Sequence, residues 1–102
     1  MQITKINDQE EKVVLEFEEF NTEDLEYLEE ILEPYFQIPL ARAEHEVEGN
    51  VFIEENWEDG SRTARLIHNA EHKTATLALT IEKDYLTKLL TKLKDAAKIK
   101  PK

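Results

Sequence analysis

"VFIEENWEDGSRTARLIH", residues 51–68, contains the strongest hairpin signal in the chain. Two alternating segments flank Asp59-Gly60, a dipeptide that is typical of a two-residue type I′ turn. A turn at these two residues predicts that Ile53 lies opposite Leu66 on neighbouring strands. The stretch therefore predicts two antiparallel strands whose apolar residues share one face of a sheet.

The same two-residue period continues beyond this hairpin. The polar segment 69–72 is predicted as a four-residue loop, and a further strand is predicted over about 74–81. This loop pairs Leu66 with Ala75. Three consecutive strands joined by short loops predict an antiparallel meander.

A fourth strand is predicted on the other side of the hairpin, over about 41–47. A two-residue turn after it would place Glu44 and Glu46 on the apolar face of the sheet. A three-residue loop at 48–50 instead places the alanines of this strand on that face, with Asn50 in the left-handed conformation. Because a one-residue slip inverts every side chain, the apolar grouping favours the three-residue loop.

Residues 20–36, "FNTEDLEYLEEILEPYF", change to a helical period. Apolar residues recur three and four positions apart, Asn21 is a typical N-cap, and Pro34 ends the helix. A second helix is predicted over about 83–97, where leucines form one stripe and lysines crowd the C-terminal end. Two helices therefore accompany the strands.

Residues 2–7 and 12–18 complete the prediction as an N-terminal hairpin. The fold class is α+β, a single domain over 1–102 with the order β-β-α-β-β-β-β-α. Its four-stranded antiparallel meander is packed on one face by two helices, and the N-terminal hairpin is a candidate extension of the sheet. Residues 99–102 are expected to be a frayed tail.

The charge of the chain is unevenly distributed. The formal net charge is -10, but residues 1–60 have 19 acidic and three basic side chains, whereas residues 61–102 have four acidic and ten basic ones. Phosphates would be repelled by the acidic part, so we expect no direct binding of nucleic acid. A basic protein surface would be attracted to it.

Several classes of site are not expected from the composition. The absence of cysteine excludes disulfides and thiolate ligands, and no catalytic, cofactor or metal motif stands out. No apolar run reaches the roughly 18 residues of a membrane span, and the chain opens without a leader pattern. We therefore expect a cytoplasmic protein without a membrane partner, a cofactor or enzymatic activity.

The first helix has an unusual number of carboxylates. Two interpretations are open: a solvated face that is neutralised by the lysine-rich second helix, or a docking face for a basic partner. The candidate partner-binding residues on this helix are Glu23, Glu26, Glu29, Glu30 and Glu33.

The face of the sheet without helices supplies the other candidates. The predicted register places Phe52 opposite Ile67, an apolar pair that is either covered by another segment or a homodimer mate, or exposed as a binding hot spot. Carboxylates surround this pair, so the candidate partner-binding residues on this face are Glu44, Glu46, Phe52, Glu54 and Ile67.

Glu55 is the one carboxylate predicted on the apolar face. His45 and His68 are predicted on the same side, so the three residues are a candidate metal or acid–base site. The alternative is an ion pair between Glu55 and a base, for which Arg62 is the candidate.

The leading prediction is a small, acidic, non-enzymatic protein–protein interaction module that docks carboxylates on a basic partner. Inhibitors and immunity proteins, including mimics of nucleic acid, share this size and charge, which is an analogy of class. One alternative is a homo-oligomeric structural or phage-type protein that uses the open sheet face as its subunit interface. A second alternative is the site at Glu55, His45 and His68.

Overall fold

The computed structural model describes residues 1–99. The α+β class and the predicted order of the two helices and first six strands are confirmed, and a short seventh strand follows. The elements are β1 (Gln2–Gln9), β2 (Lys12–Glu18), α1 (Thr22–Leu32), β3 (Ala41–Val47), β4 (Asn50–Asp59), β5 (Arg62–Asn69), β6 (Thr74–Thr80), α2 (Lys83–Ala96) and β7 (Lys98–Ile99).

The strands form one sheet in the order β3-β4-β5-β6-β2-β1-β7. The N-terminal hairpin extends the meander, because β2 pairs antiparallel with β6. Ile99, the first residue of the segment that was expected to fray, pairs with Ile3 as part of β7, which runs parallel to β1. The rest of that segment, residues 100–102, lies outside the described residues.

Both helices lie on one face of the sheet and bury its apolar residues. Leu66 and Leu77 pair across the centre of the sheet, and both side chains are fully buried. At roughly 25 cal/mol per Å² of apolar surface, this shared layer is the main source of stability. Its largest fully buried members are Phe17, Phe20, Phe36, Ile3, Leu15, Leu28, Leu32, Leu66, Leu77, Leu79, Leu89 and Leu93.

The local signals for the helices correspond to the structure. The backbone N–H of Asn21 donates to Asp24 Oδ2 at 2.9 Å, so Asn21 begins α1 as predicted. Glu33 is the C-cap, directly before Pro34. Within residues 1–99, neither helix has the combination of length and apolar character that crossing a bilayer requires.

The two later hairpins have the predicted faces but a different register. The loop residues between β4 and β5 are Gly60 and Ser61, with Gly60 at φ +62°, which is the arrangement of a type II′ turn. Ile53 consequently lies opposite His68 rather than Leu66. The loop before β6 is likewise 70–73 rather than 69–72. Each pairing slides by two residues, so every side chain keeps its face.

The predicted loop between β3 and β4 is wrong in a way that does change faces. Only Glu48 and Gly49 separate the two strands, at φ +51° and +84°, as a type I′ turn requires. Arg42 therefore lies opposite Glu55, and Glu44 opposite Ile53. Every residue of β3 is exposed. Because the edge strand gains no burial on either face, the turn decides the register instead of the apolar grouping.

Candidate partner-binding surface

A shallow groove lies between the C-terminal half of α1, the following loop and the sheet. Four carboxylates line it, together with Trp57 and other residues. We call this feature, with a volume of about 410 Å³, the acidic groove; its lining residues are Glu26, Glu29, Glu30, Glu33, Gln37, Ile38, Pro39 and Trp57.

The sequence of α1 explains why carboxylates face this groove. The buried residues of the helix are Leu25, Leu28 and Leu32, at the spacing of one helical face. Three of the four groove glutamates, at positions 26, 29 and 33, follow the same spacing one position later along the chain. No basic residue occupies the last turn of α1. Carboxylates at the negative end of a helix dipole cost roughly 0.3–1 kcal/mol each before salt screening, so helix stability does not account for them.

No ion pair within residues 1–99 neutralises the acidic groove. The basic α2 was the expected source of compensation, but its lysines make other contacts. Lys88 Nζ lies 5.8 Å from the ring centre of Tyr85, and Lys92 Nζ lies 5.4 Å from that of Tyr35. In the part of the chain that the structure describes, neutralisation of α1 by paired lysines is therefore not observed.

The corrected register of β3 enlarges the acidic surface on the helix side. Arg42, Glu44 and Glu46 alternate along β3 and share the sheet face of Glu55, which is the face covered by the helices. The sequence had placed these two glutamates on the opposite face. Both are exposed, so negative charge continues from α1 onto the neighbouring edge strand.

Two exposed apolar residues next to the acidic groove were missed from the sequence. Ile38 is 79% exposed and Leu40 is 63% exposed, in the loop between α1 and β3. This loop is anchored at its end, because the Leu40 N–H donates to the Asn56 carbonyl at 2.8 Å. The available signal was "QIPL", in which two large apolar residues belong to no periodic pattern.

Glu55 lies on β4, interacts with Glu29 of the acidic groove and is buried, with 1% of its surface exposed. Arg42 Nη1 is 3.4 Å from Glu55 Oε1, so the base that pairs with Glu55 is Arg42 rather than Arg62. Glu55 Oε2 has no conventional hydrogen-bond partner, and the Glu55 carboxyl group lies close to that of Glu29. Two carboxyl groups can share a hydrogen bond only when one of them is protonated.

The surroundings of Glu55 favour that proton. Burial is the largest effect, followed by the hydrogen bond to Glu29 and its negative charge, and together they raise the pKa of Glu55 to about 7. The positive charge of Arg42 opposes this shift. The Glu29–Glu55 pair therefore holds a proton at a pH where an ordinary glutamate has lost it.

The three residues of the predicted metal or acid–base site do not converge. His45 lies on the opposite sheet face from Glu55, where its ring stacks on Phe52 with centroids 5.6 Å apart. His68 is buried near Phe20, and its Nε2 is 3.2 Å from the Phe20 carbonyl oxygen. Burial lowers the pKa of His68. Residues 1–99 contain no cluster of three or more potential metal ligands among His, Cys, Asp and Glu.

The remaining candidate residues lie apart from the acidic groove. On the open face, Phe52 lies opposite Asn69 and Ile67 opposite Glu54, so the predicted direct pair of Phe52 and Ile67 is wrong. Glu54 also forms an ion pair with Arg65 at 2.7 Å. The sheet thus separates these three candidates from the carboxylates of α1.

Glu23 is separated from the acidic groove along α1. It lies in the first turn of the helix and lines a different depression, together with His68 and Lys73. The predicted candidates that share the helix side near β3 are therefore Glu26, Glu29, Glu30, Glu33, Glu44 and Glu46.

Comparison of the chain with protein-family models, curated proteins and solved structures finds no significant match. Functional inference consequently rests on the geometry and charge of this surface.

Proposed function

We propose that this protein is a non-enzymatic interaction module that docks the acidic groove, together with Glu44 and Glu46, on a basic surface of another protein. The observation that supports the proposal most directly is the lack of ion pairing, within residues 1–99, of the four glutamates that line the acidic groove. Repulsion between neighbouring carboxylates on the helix lowers the stability of the isolated protein. A basic surface that binds there compensates this repulsion.

The exposed apolar residues supply the second requirement of a specific interface. Carboxylates steer a basic partner and set its orientation, but buried apolar contacts at the centre of an interface provide much of the affinity. Ile38 lines the acidic groove and is 79% exposed. In this proposal Ile38 is an apolar anchor that is surrounded by carboxylates, a role that the sequence had suggested for Phe52 or Ile67.

A basic surface that ordinarily binds nucleic acid is one form that the partner can take. A row of carboxylates at helical spacing reproduces the negative charge of a phosphate backbone. The partner would then be inhibited or neutralised by occupation of its binding groove. This part of the proposal is the inhibitor or immunity-protein function that the composition suggested.

The proposal is tested by affinity capture with matched variants. The groove variant carries Glu26→Gln, Glu30→Gln and Glu33→Gln, which removes three carboxylates from α1. The control variant carries Asp8→Asn, Glu10→Gln and Glu11→Gln. It makes the same change of charge in the N-terminal hairpin, toward the opposite edge of the sheet from β3. A single basic protein should be retained by the wild type and the control and lost by the groove variant.

Salt dependence supplies the second measurement of this test. Retention should fall steeply between about 50 mM and about 300 mM salt, because exposed charges are screened over this range. A captured protein that the groove variant still binds, or one whose affinity does not change with salt, would contradict the proposal.

Self-association through the open sheet face is the second candidate. Val47 is 50% exposed, and alternation places it on the same side of β3 as His45, whose ring stacks on Phe52. Light scattering at high protein concentration tests this candidate. A dimer that a Val47→Asp variant dissociates would support it, whereas a monomer at all concentrations would exclude it.

A further inference from the structure

We propose that the acidic groove receives an arginine side chain of the basic partner, and that this guanidinium displaces the proton held between Glu29 and Glu55. The inference rests on the proposed function and names both the chemical group that is bound and a coupling of binding to pH. It starts from Glu55 rather than from the exposed glutamates.

The first supporting observation is the buried Oε2 atom of Glu55. Glu55 is 1% exposed, and its Oε2 atom has no conventional hydrogen-bond partner. A buried carboxylate without a partner is costly, so the site is satisfied either by a proton shared with Glu29 or by a cation. Glu29 lines the acidic groove and also faces Glu55, so it connects the two.

Few charged groups surround Glu55 in the structure. Glu29 faces it from α1, Arg42 faces it from β3, and the residue opposite on β5 is the apolar Leu66. Arg42 contacts only Oε1, at 3.4 Å. Arg42 therefore supplies one positive charge for the two carboxyl groups of Glu29 and Glu55, and the shared proton neutralises the second carboxylate.

The lining of the acidic groove favours guanidinium over ammonium. Trp57 and the carboxylates of α1 lie on the same groove. A guanidinium is planar and bonds carboxylates with two parallel N–H groups. It is also less strongly hydrated than an ammonium, so it enters a partly apolar groove at a lower cost. When it arrives, the shared proton passes to the buffer, and both carboxyl groups become carboxylates.

Isothermal titration calorimetry with acetylated hexa-arginine amide tests this inference. Titrations in phosphate and in imidazole, which both buffer near neutral pH and differ in ionisation enthalpy, measure the protons released on binding. Since the bound state requires an ionised pair, affinity should increase by up to about tenfold between about pH 6 and about pH 8, with release of up to one proton per site at the lower pH.

Matched variants assign this coupling to the buried pair. Glu55→Gln should still bind hexa-arginine through the exposed carboxylates but should lose the proton release and the pH dependence. Glu54→Gln removes a carboxylate from the opposite face of the same strand and should retain both. A measurement on the wild type avoids dependence on folding of the variants: the ¹³C signal of the Glu55 carboxyl group should titrate at lower pH when hexa-arginine is present.

The outcomes separate this inference from the proposed function. Binding of hexa-arginine without proton release, or with the same pH dependence in Glu55→Gln, would overturn the inference while leaving capture of the basic partner unaffected. Equal binding and proton release with hexalysine would overturn the assignment to guanidinium. Failure of the groove variant to weaken capture of the protein partner, in contrast, concerns the proposed function.

Discussion

Replacing Glu55 by glutamine removes the only acidic side chain among the buried polar residues within residues 1–99 and keeps its shape. The wild-type carboxyl group has a folded-state pKa of about 7 against an ordinary value of 4.5. The folded protein therefore binds more protons than the unfolded chain between these values. Because its pKa is raised, the contribution of the Glu55 carboxyl group to the free energy of unfolding is highest below about pH 4.5 and decreases as the pH rises through about 7.

The size of this effect follows from the shift. One pKa unit corresponds to about 1.4 kcal/mol, so the wild type should lose about 3 kcal/mol of unfolding free energy through this pair between about pH 4.5 and about pH 8.5. Glu55→Gln has no such loss. The difference in unfolding free energy, variant minus wild type, should therefore increase by about 3 kcal/mol across this range, even if the lost contact with Arg42 changes its starting value.

Urea denaturation measures the difference directly. Trp57 is the only tryptophan and is buried next to the acidic groove, so its fluorescence reports unfolding. Other carboxyl groups titrate in both proteins, and their contributions cancel in the difference. The control is Glu54→Gln, whose carboxylate lies on the open face in an ion pair with Arg65. Its difference from the wild type should stay flat above about pH 6.

The reasoning would be refuted by a Glu55→Gln difference that stays constant between about pH 5 and about pH 8.5. It would equally be refuted if the wild type became more stable relative to the variant as the pH rose. Either result would mean that the Glu29–Glu55 pair is already ionised in the folded protein at neutral pH.

Three further predictions concern the same edge of the molecule. Arg42→Ala removes the cation that opposes the raised pKa of Glu55. In this background, the difference in unfolding free energy between the proteins with and without Glu55→Gln should have its midpoint at higher pH, as measured by the same urea titrations. A midpoint at lower pH would contradict the assigned ion pair. Glu48→Asn should raise the unfolding free energy by up to about 0.5 kcal/mol, because Asn-Gly suits a type I′ turn with positive φ at both loop residues, and a clear loss of stability would argue against this turn. Ile38→Asp should leave the unfolding free energy within about 0.5 kcal/mol of the wild type, since the side chain is largely exposed, but should reduce retention of the basic partner. Unchanged retention would exclude Ile38 as an anchor.

Local sequence signals were sufficient for the two helices, the first six strands and their order, but not for β7. Asn21 and Pro34 bound α1 through interactions with their own chain neighbours, and the period of two along residues 51–68 produced the strands. The buried faces of β5 and β6 were also predicted correctly, although both hairpins slid by two residues. A shift of two residues keeps every side chain on its face of the sheet, so the same residues are buried against the helices in either register.

The acidic groove was only partly predictable. The carboxylates of α1 are evident in the sequence, because their spacing is a property of one helix. Their neighbours are not, since Trp57 and Ile38 reach the groove through the path of the chain between α1 and β3. Ile38 fell outside every periodic pattern and was therefore overlooked.

The sequence by itself determined the two helices and the first six strands, because hydrophobic period, caps and turn residues act between near neighbours in the chain. Only the tertiary structure decided which face β3 presents, because an edge strand beyond the helix layer gains nothing from hiding alanines, and its two-residue turn sets the register. The same long-range packing brings Glu55 against Glu29, since the two residues lie on elements that meet only when α1 covers the sheet. Burial of that pair, rather than its position in the chain, keeps its proton near neutral pH.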